Sequence, residues 1–139
     1  MKGIIDTNVI FSALLKKESK IKKLIFDPSN KFYTCNFLFI ELFKYKEKIE
    51  KISQLDFNDI LRSMKILLSK IRFVHEDIIP PQIYQKAREL CSDIDENDIP
   101  FVALSLFIDA PIITRDKKLR NGLNKKGFEE IILLETLIE

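Results

Sequence analysis

A chain of 139 residues, 46% apolar and 32% charged, holds enough hydrocarbon for one core and too much for a disordered segment. The formal net charge is only +2, so a global basic field is excluded and any affinity for nucleic acid must come from local clusters. One histidine, His75, and two cysteines, Cys35 and Cys91, without CxxC or Cys–His spacing leave triads and His-based zinc sites unsupported.

In chain order, Lys2 to Ile5 is a short strand that emerges at Asp6, and Thr7 opens a helix with Val9, Ile10, Ala13 and Leu14 on one side. A second helix spans Ser19 to Phe26 and stops at Asp27-Pro28. Phe32 to Cys35 is the second strand. Asn36 is placed to cap a helix from Phe37 to about Glu47, with further helix to Ile52. Phe57, Ile60, Leu61, Met64, Leu67, Leu68 and Ile71 recur at spacings of three and four, an amphipathic helix whose stripe is core or else a surface for a partner. Phe73-Val74 is a brief third strand ending at His75, an ordinary boundary residue. Pro80-Pro81 breaks the chain before a helix from Gln82 to Cys91. The acidic segment Ser92 to Asp98 then runs into the most apolar helix candidate, Phe101 to Ile108, with Asp98 as its cap and Pro100 in its first turn. Pro111 to Thr114 is a fourth strand ending at Asp116, followed by a short helix to Leu123, a turn at Lys126-Gly127, a fifth strand from Glu130 to Leu133 and a terminal turn from Glu135. Repeats and linkers are lacking, so residues 1–139 read as one domain. Both cysteines read as buried free thiols in a reducing cytoplasm, without a signal peptide or an apolar run that would span a bilayer.

Short apolar strands alternating with helices predict a three-layer α/β/α domain around a parallel sheet of about five strands. Ligands of such sheets gather beyond the carboxyl ends of the strands, where Asp6 and Asp116 lie. Glu41 stands in the otherwise apolar run Phe37 to Phe43 and needs a partner there; a salt bridge to Lys44 or Lys46 is one. Asp6, Asp98 and Asp116 each have an ordinary reading as helix caps. Taken together, four carboxylates brought to one edge would raise one another's pKa values, a penalty that bound Mg²⁺ or Mn²⁺ removes. One or two such ions can polarise a phosphodiester and hold an attacking water. Asn8 and Thr114 are near enough in sequence to orient the carboxylates by hydrogen bonds.

Asp6-Thr7-Asn8, Glu41 in its apolar helix, Asp95-x-x-Asp98-Ile-Pro-Phe-Val-Ala-Leu and Thr114-Arg115-Asp116-Lys117 together resemble the PIN-domain family, in order and approximate spacing over essentially the whole chain. The resemblance implies a sheet ordered 3-2-1-4-5 and a metal-dependent endoribonuclease, with Asp6, Glu41, Asp98 and Asp116 as metal-binding catalytic residues and Asp95 as an additional acidic position. Many bacterial and archaeal relatives are VapC-type toxins, so a small antitoxin and a homodimer are the partners the resemblance implies beside the RNA substrate.

Basic residues that could meet phosphates are Arg115 and Lys117 beside the proposed site, and two clusters, Lys16, Lys17, Lys20, Lys22, Lys23 and Lys44, Lys46, Lys48, Lys51, which read equally as solvated helix faces. Three other readings compete. A Mg²⁺-dependent phosphatase of the haloacid-dehalogenase type would carry an aspartate where this chain has Asn8. A receiver domain would need a phosphoacceptor after the third strand, where only Asp77 is near. A catalytically weak or inactive module binding RNA or protein would keep the fold without turnover.

Overall fold

The computed structural model describes residues 1–15 and 19–138. Its centre is β1 (Lys2–Ile5), buried from Gly3 onward. On one side β1 pairs with β2 (Lys31–Cys35) and on the other with β4 (Ile112–Thr114). Outside these lie β3 (Ile71–Val74) and β5 (Ile131–Leu133), so the sheet is all parallel in the order β3-β2-β1-β4-β5.

Successive strand residues point to opposite faces, and the register exploits this. Ile5 and Ile113, paired across β1 and β4, enter one core, whereas Ile4 and Ile112 enter the other. The first core is closed by α1 (Thr7–Leu14), α2 (Lys20–Phe26), α3 (Phe37–Lys44), α4 (Lys46–Ser53) and α5 (Phe57–Leu68), with the short α9 (Glu135–Ile138) packed against it. The second is closed by α6 (Pro81–Cys91), α7 (Ile99–Ile108) and α8 (Lys117–Lys125). Helices on both faces of a parallel sheet make the predicted three layers. No described helix is long and apolar enough to cross a membrane.

Local signals explain most boundaries. The Ser19 hydroxyl accepts the Lys22 N–H at the start of α2. Pro100 sits in the first turn of α7. The predicted turn at Lys126-Gly127 is a Schellman ending to α8: Gly127, at φ 85°, donates to the Asn124 carbonyl, and Phe128 donates to that of Leu123. Both cysteines are free and buried.

Four expectations need correction. Ile71 belongs to β3, since α5 ends at Leu68, and the third strand starts two residues before Phe73. The helix expected from Phe37 to Glu47 divides at Tyr45, whose N–H still reaches the Glu41 carbonyl but whose backbone (φ −103°, ψ 9°) has left the helical well. Asn36 makes no side-chain cap to α3 because its own backbone is already helical, which carries the side chain away from the N–H groups it would accept. Asp98 makes none to α7 for the same reason; a 3₁₀ turn, Glu96–Asp98, precedes it, and Asp95 caps that turn through the Asn97 N–H.

The amphipathic stripe of α5 divides as well. Ile60 and Leu67 are core, while Phe57 is 53% exposed and Leu61 is exposed beside it. With Phe39 and Phe43 of α3, the second of them 71% exposed, they edge an apolar groove floored by Leu42, Ile49 and Ile60.

Candidate active site

Asp6 lies where β1 ends, between the ends of β2 and β4, and is only 5% exposed. Three donors hold its carboxylate. The Thr7 N–H reaches Oδ1 at 2.7 Å; the Thr114 hydroxyl and the Asn8 amide reach Oδ2 at 2.7 and 3.2 Å. Asp6 therefore does cap α1, and the cap leaves it facing the pocket. Burial pushes its pKa up to about 6 despite these hydrogen bonds, with the charges of Glu41 and Asp116 adding to the effect.

Thr114 is the hub of this arrangement. Its hydroxyl donates to Asp6 and accepts from the Asn8 amide at 3.1 Å and from the Asp116 N–H at 3.1 Å, so its hydrogen-bonding capacity is filled. The Asn8 side-chain oxygen takes the Arg115 N–H at 3.1 Å. One hydroxyl and one amide thus lock the end of β1 to the loop that carries Asp116, 110 residues later. Asp116 in turn caps α8 through the Leu119 N–H at 3.0 Å.

Glu41 enters from α3. Its partner is the Thr7 hydroxyl, which donates to Oε1 at 2.6 Å, and not the lysine that the sequence suggests. Helix α3 is less buried than its apolar run suggests: it exposes much of its apolar surface, and Glu41 itself is half-buried on the face turned to the pocket. Burial raises its pKa, Asp95 raises it further, and the Thr7 hydroxyl and Lys44 oppose the shift. Asp98 is pushed up to about 8, by burial first and then by Asp6, Asp95, Asp116 and Glu41 in turn.

All five acidic residues line one pocket of 310 Å³. Thr7, Asn8, Asn97, Phe11 and Tyr45 complete it, and Lys48 is its one cationic lining residue among those described. Sequence reasoning passed over Thr7, Tyr45 and Phe11 as site residues; a hydroxyl following a strand-end aspartate was the available signal for Thr7. No ion pair among the described residues joins an acid of this pocket. Nor do three of its carboxyl groups stand close enough together to chelate an ion as they are placed. All the ionisable oxygens are hard donors, and neither histidine nor cysteine lines the pocket, a set that suits Mg²⁺ or Mn²⁺ over softer metals.

Arg115 and Lys117 do not line this pocket. The Arg115 guanidinium donates to the Ser12 hydroxyl at 2.7 Å and lies 3.6 Å from Glu135, in a separate depression that Lys20 also borders. Lys117 is exposed at the start of α8. Of the lysine clusters, Lys16 and Lys17 lie outside the described residues, and Lys48 alone reaches the acidic pocket. The strand order also bears on the competing folds: receiver domains place β3 beside β1 in the order 2-1-3-4-5, whereas β1 here sits between β2 and β4. Asp77 lies beyond the end of β3, away from the acidic pocket.

Comparison with known proteins follows the same line. A family model described as PIN domain matches residues 4–135. Among solved structures, VapBC2 of Rickettsia felis, bound to a DNA fragment from its promoter, superposes with a TM-score of 0.68 at 17% identity, covering 96% of this chain and 97% of that one. DNA-bound VapBC of Salmonella typhimurium gives a TM-score of 0.70 at 13% identity over 96% and 98% of the two chains. A toxin–antitoxin complex from Klebsiella pneumoniae gives 0.59 at 16% over 94% and 95%. At these identities the superpositions speak for the fold alone. No curated protein sequence matches the chain.

Proposed function

The chain belongs to the PIN-domain family, and from that premise we propose that it is a Mg²⁺- or Mn²⁺-dependent endoribonuclease that hydrolyses RNA phosphodiester bonds. The observation that carries the reading is the acidic pocket itself. Asp6, Glu41, Asp95, Asp98 and Asp116 converge on it with a single lysine among its described walls, and Asp6 and Asp98 are protonated more readily than ordinary carboxylates. Such a set is stable as carboxylates only with positive charge between them.

Asp6, Glu41, Asp98 and Asp116 would hold the ion, with Asp95 at the rim. When bound, a divalent ion lowers the pKa of an attacking water and neutralises charge on the phosphoryl oxygens. The chain's own residues prepare that site. The Thr7 N–H, the Thr114 hydroxyl and the Asn8 amide fix the Asp6 carboxylate in one orientation. Thr7 also fixes Glu41, and the cap to Leu119 fixes Asp116. An ion held there would take the place of the proton that Asp98 carries near neutrality. Hydrolysis then needs no covalent enzyme intermediate.

The apolar groove between α3 and α5 supports a second element of the proposal, a small antitoxin protein that lays an apolar helix face against Phe39, Phe43, Phe57 and Leu61. The similar Rickettsia, Salmonella and Klebsiella structures are toxin–antitoxin assemblies, which favours that kind of partner. The protein would act in the cytoplasm, where such RNA is found.

The deciding experiment is cleavage of single-stranded RNA with Mn²⁺ or Mg²⁺ by the wild type and by Asp98→Asn purified identically. Cleavage that needs metal and vanishes in the variant supports the nuclease. Equal cleavage by both, or none by either across several RNAs, points instead to an inactive RNA- or protein-binding module.

A further inference from the structure

A second depression lies beside the acidic pocket, between the start of α3, the middle of α6 and the turn before α7. Phe37, Tyr84, Arg88, Glu96 and Asn97 form its walls. Asn97 also lines the acidic pocket, so the two depressions share a wall, and Asp98 is the next residue.

Its two rings are braced from behind. Phe37 meets the buried Phe101 edge to face, with centroids 6.3 Å apart, and its N–H donates to the Glu76 carboxylate. Tyr84 packs against the second core, and Arg88, one helical turn later, sets its guanidinium 5.7 Å from the Tyr84 ring centroid. Both rings are half-buried, so each keeps part of its surface open to the depression. Glu96 and Asn97 are exposed at the rim, and Asn97 uses its backbone N–H, not its side chain, to hold the turn.

We propose that this depression is a subsite for one unpaired nucleobase of the RNA strand being cut. The inference rests on the nuclease reading and extends it to how the strand is held. Unstacked bases are recognised by stacking on aromatic and guanidinium planes and by hydrogen bonds along their edges. Tyr84, Phe37 and Arg88 supply the first, and the Asn97 amide and Glu96 carboxylate supply the second. A phosphate is a poor occupant, because Glu96 opposes Arg88, the one cation among the described walls. A carboxylate acceptor at the rim selects an exocyclic amine, which adenine, cytosine and guanine carry and uracil lacks. The shared wall puts the base next to the phosphate presented to Asp98.

The test needs no metal. The chain has no tryptophan and three tyrosines, so the part of the tyrosine emission in EDTA that Tyr84→Phe removes reports a base stacking on Tyr84. A five-residue oligoadenylate should quench that emission, a five-residue oligouridylate should bind more weakly, and an abasic pentamer of equal charge should bind weakest. Tyr84→Leu keeps the packing volume without the stacking plane. It should weaken oligoadenylate binding, followed by fluorescence anisotropy, about 10-fold, within the range measured for one stacked base, and leave the abasic chain unaffected. Tyr84→Phe should bind as the wild type does. Should Tyr84→Leu fold poorly, Arg88→Ala carries the same comparison with a loss of several fold. Equal affinity of the wild type for oligoadenylate and the abasic pentamer, or unchanged oligoadenylate binding in both Tyr84→Leu and Arg88→Ala, overturns the subsite. Failure of the nuclease reading registers separately, as the absence of metal-dependent cleavage in protein that still distinguishes the two oligomers.

Discussion

Helix α3 carries two kinds of chemistry in unfavourable surroundings, on different faces. Glu41 turns into a pocket crowded with other carboxylates, while Phe39 and Phe43, two residues to either side, turn toward water. The acidic pocket has charge where solvent is scarce; the groove beside α5 has hydrocarbon where solvent is plentiful. The crowded carboxylates cost stability in the isolated chain and the exposed rings cost solubility, and each names what would relieve it. Carboxylates call for a cation, and exposed rings call for another apolar surface. Tyr45, where α3 gives way to α4, lines the acidic pocket, and Lys46, the next residue, borders the groove. A partner seated on the groove would therefore press on the segment that shapes the site.

The largest effect is expected from Asp98→Asn or Asp6→Asn, which should lower metal-dependent RNA cleavage by ~100-fold or more, the scale of losing a charge-stabilising group from an active site. Thr114→Val comes next. It removes the donor to Asp6 and the acceptor for Asn8 and the Asp116 N–H while keeping the shape. We expect cleavage to fall about 10- to 100-fold, with a fall in Tm corresponding to about 1–3 kcal/mol from the orphaned buried groups; an unchanged rate in Thr114→Val would remove it from the machinery.

A third prediction concerns pH. Asp6 and Asp98 titrate near 6 and 8 in the fold and near ~3.9 when unfolded. Between those values the folded state holds more protons, so the stability these groups contribute is complete below about pH 4 and is lost as pH rises through 6 and then 8. In EDTA the Tm should drop by several degrees between pH 5.5 and 8.5, and Asp98→Asn should flatten that slope. Saturating Mn²⁺ should raise the Tm most at the alkaline end, since the ion binds the carboxylates in place of protons. A Tm that climbs with pH in EDTA would count against mutual repulsion in the pocket. The smallest effect belongs to the groove: Phe43→Gln should leave cleavage within about two-fold while cutting binding of a fluorescent apolar dye, because one exposed ring matters little to the folded chain alone.

The sequence made the sheet legible because alternating apolar strands and helices leave few ways to cover both faces, and the ends of β1 and β4 announced themselves with Asp6 and Asp116. The hydrogen bonds inside the site were less legible. Asn8 and Thr114 could be nominated from their neighbours, but the Thr7–Glu41 contact joins two helices and depends on how α3 packs over α1. Capping signals misled at Asn36 and Asp98, where helical backbone at the cap position overrode a suitable side chain. The break at Tyr45 has neither proline nor glycine to mark it. Ile71 continued a helical period across the end of α5 only by coincidence of spacing, and pairing with Phe32 of β2 claims it for the sheet.

The central place of β1 has a consequence for synthesis. Its neighbour β4 is more than 100 residues away along the chain, and the lock from Thr114 to Asp6 spans 108. A nascent chain can pair β1 with β2 early, yet it lacks Thr114 and Asp116 opposite Asp6 until β4 and the loop after it have left the ribosome. Pairing so remote in sequence also comes late in folding. The carboxylate site is thus assembled only once residues on both sides of a 108-residue separation can meet, and a ribosome that has not yet released β4 carries no complete copy of it.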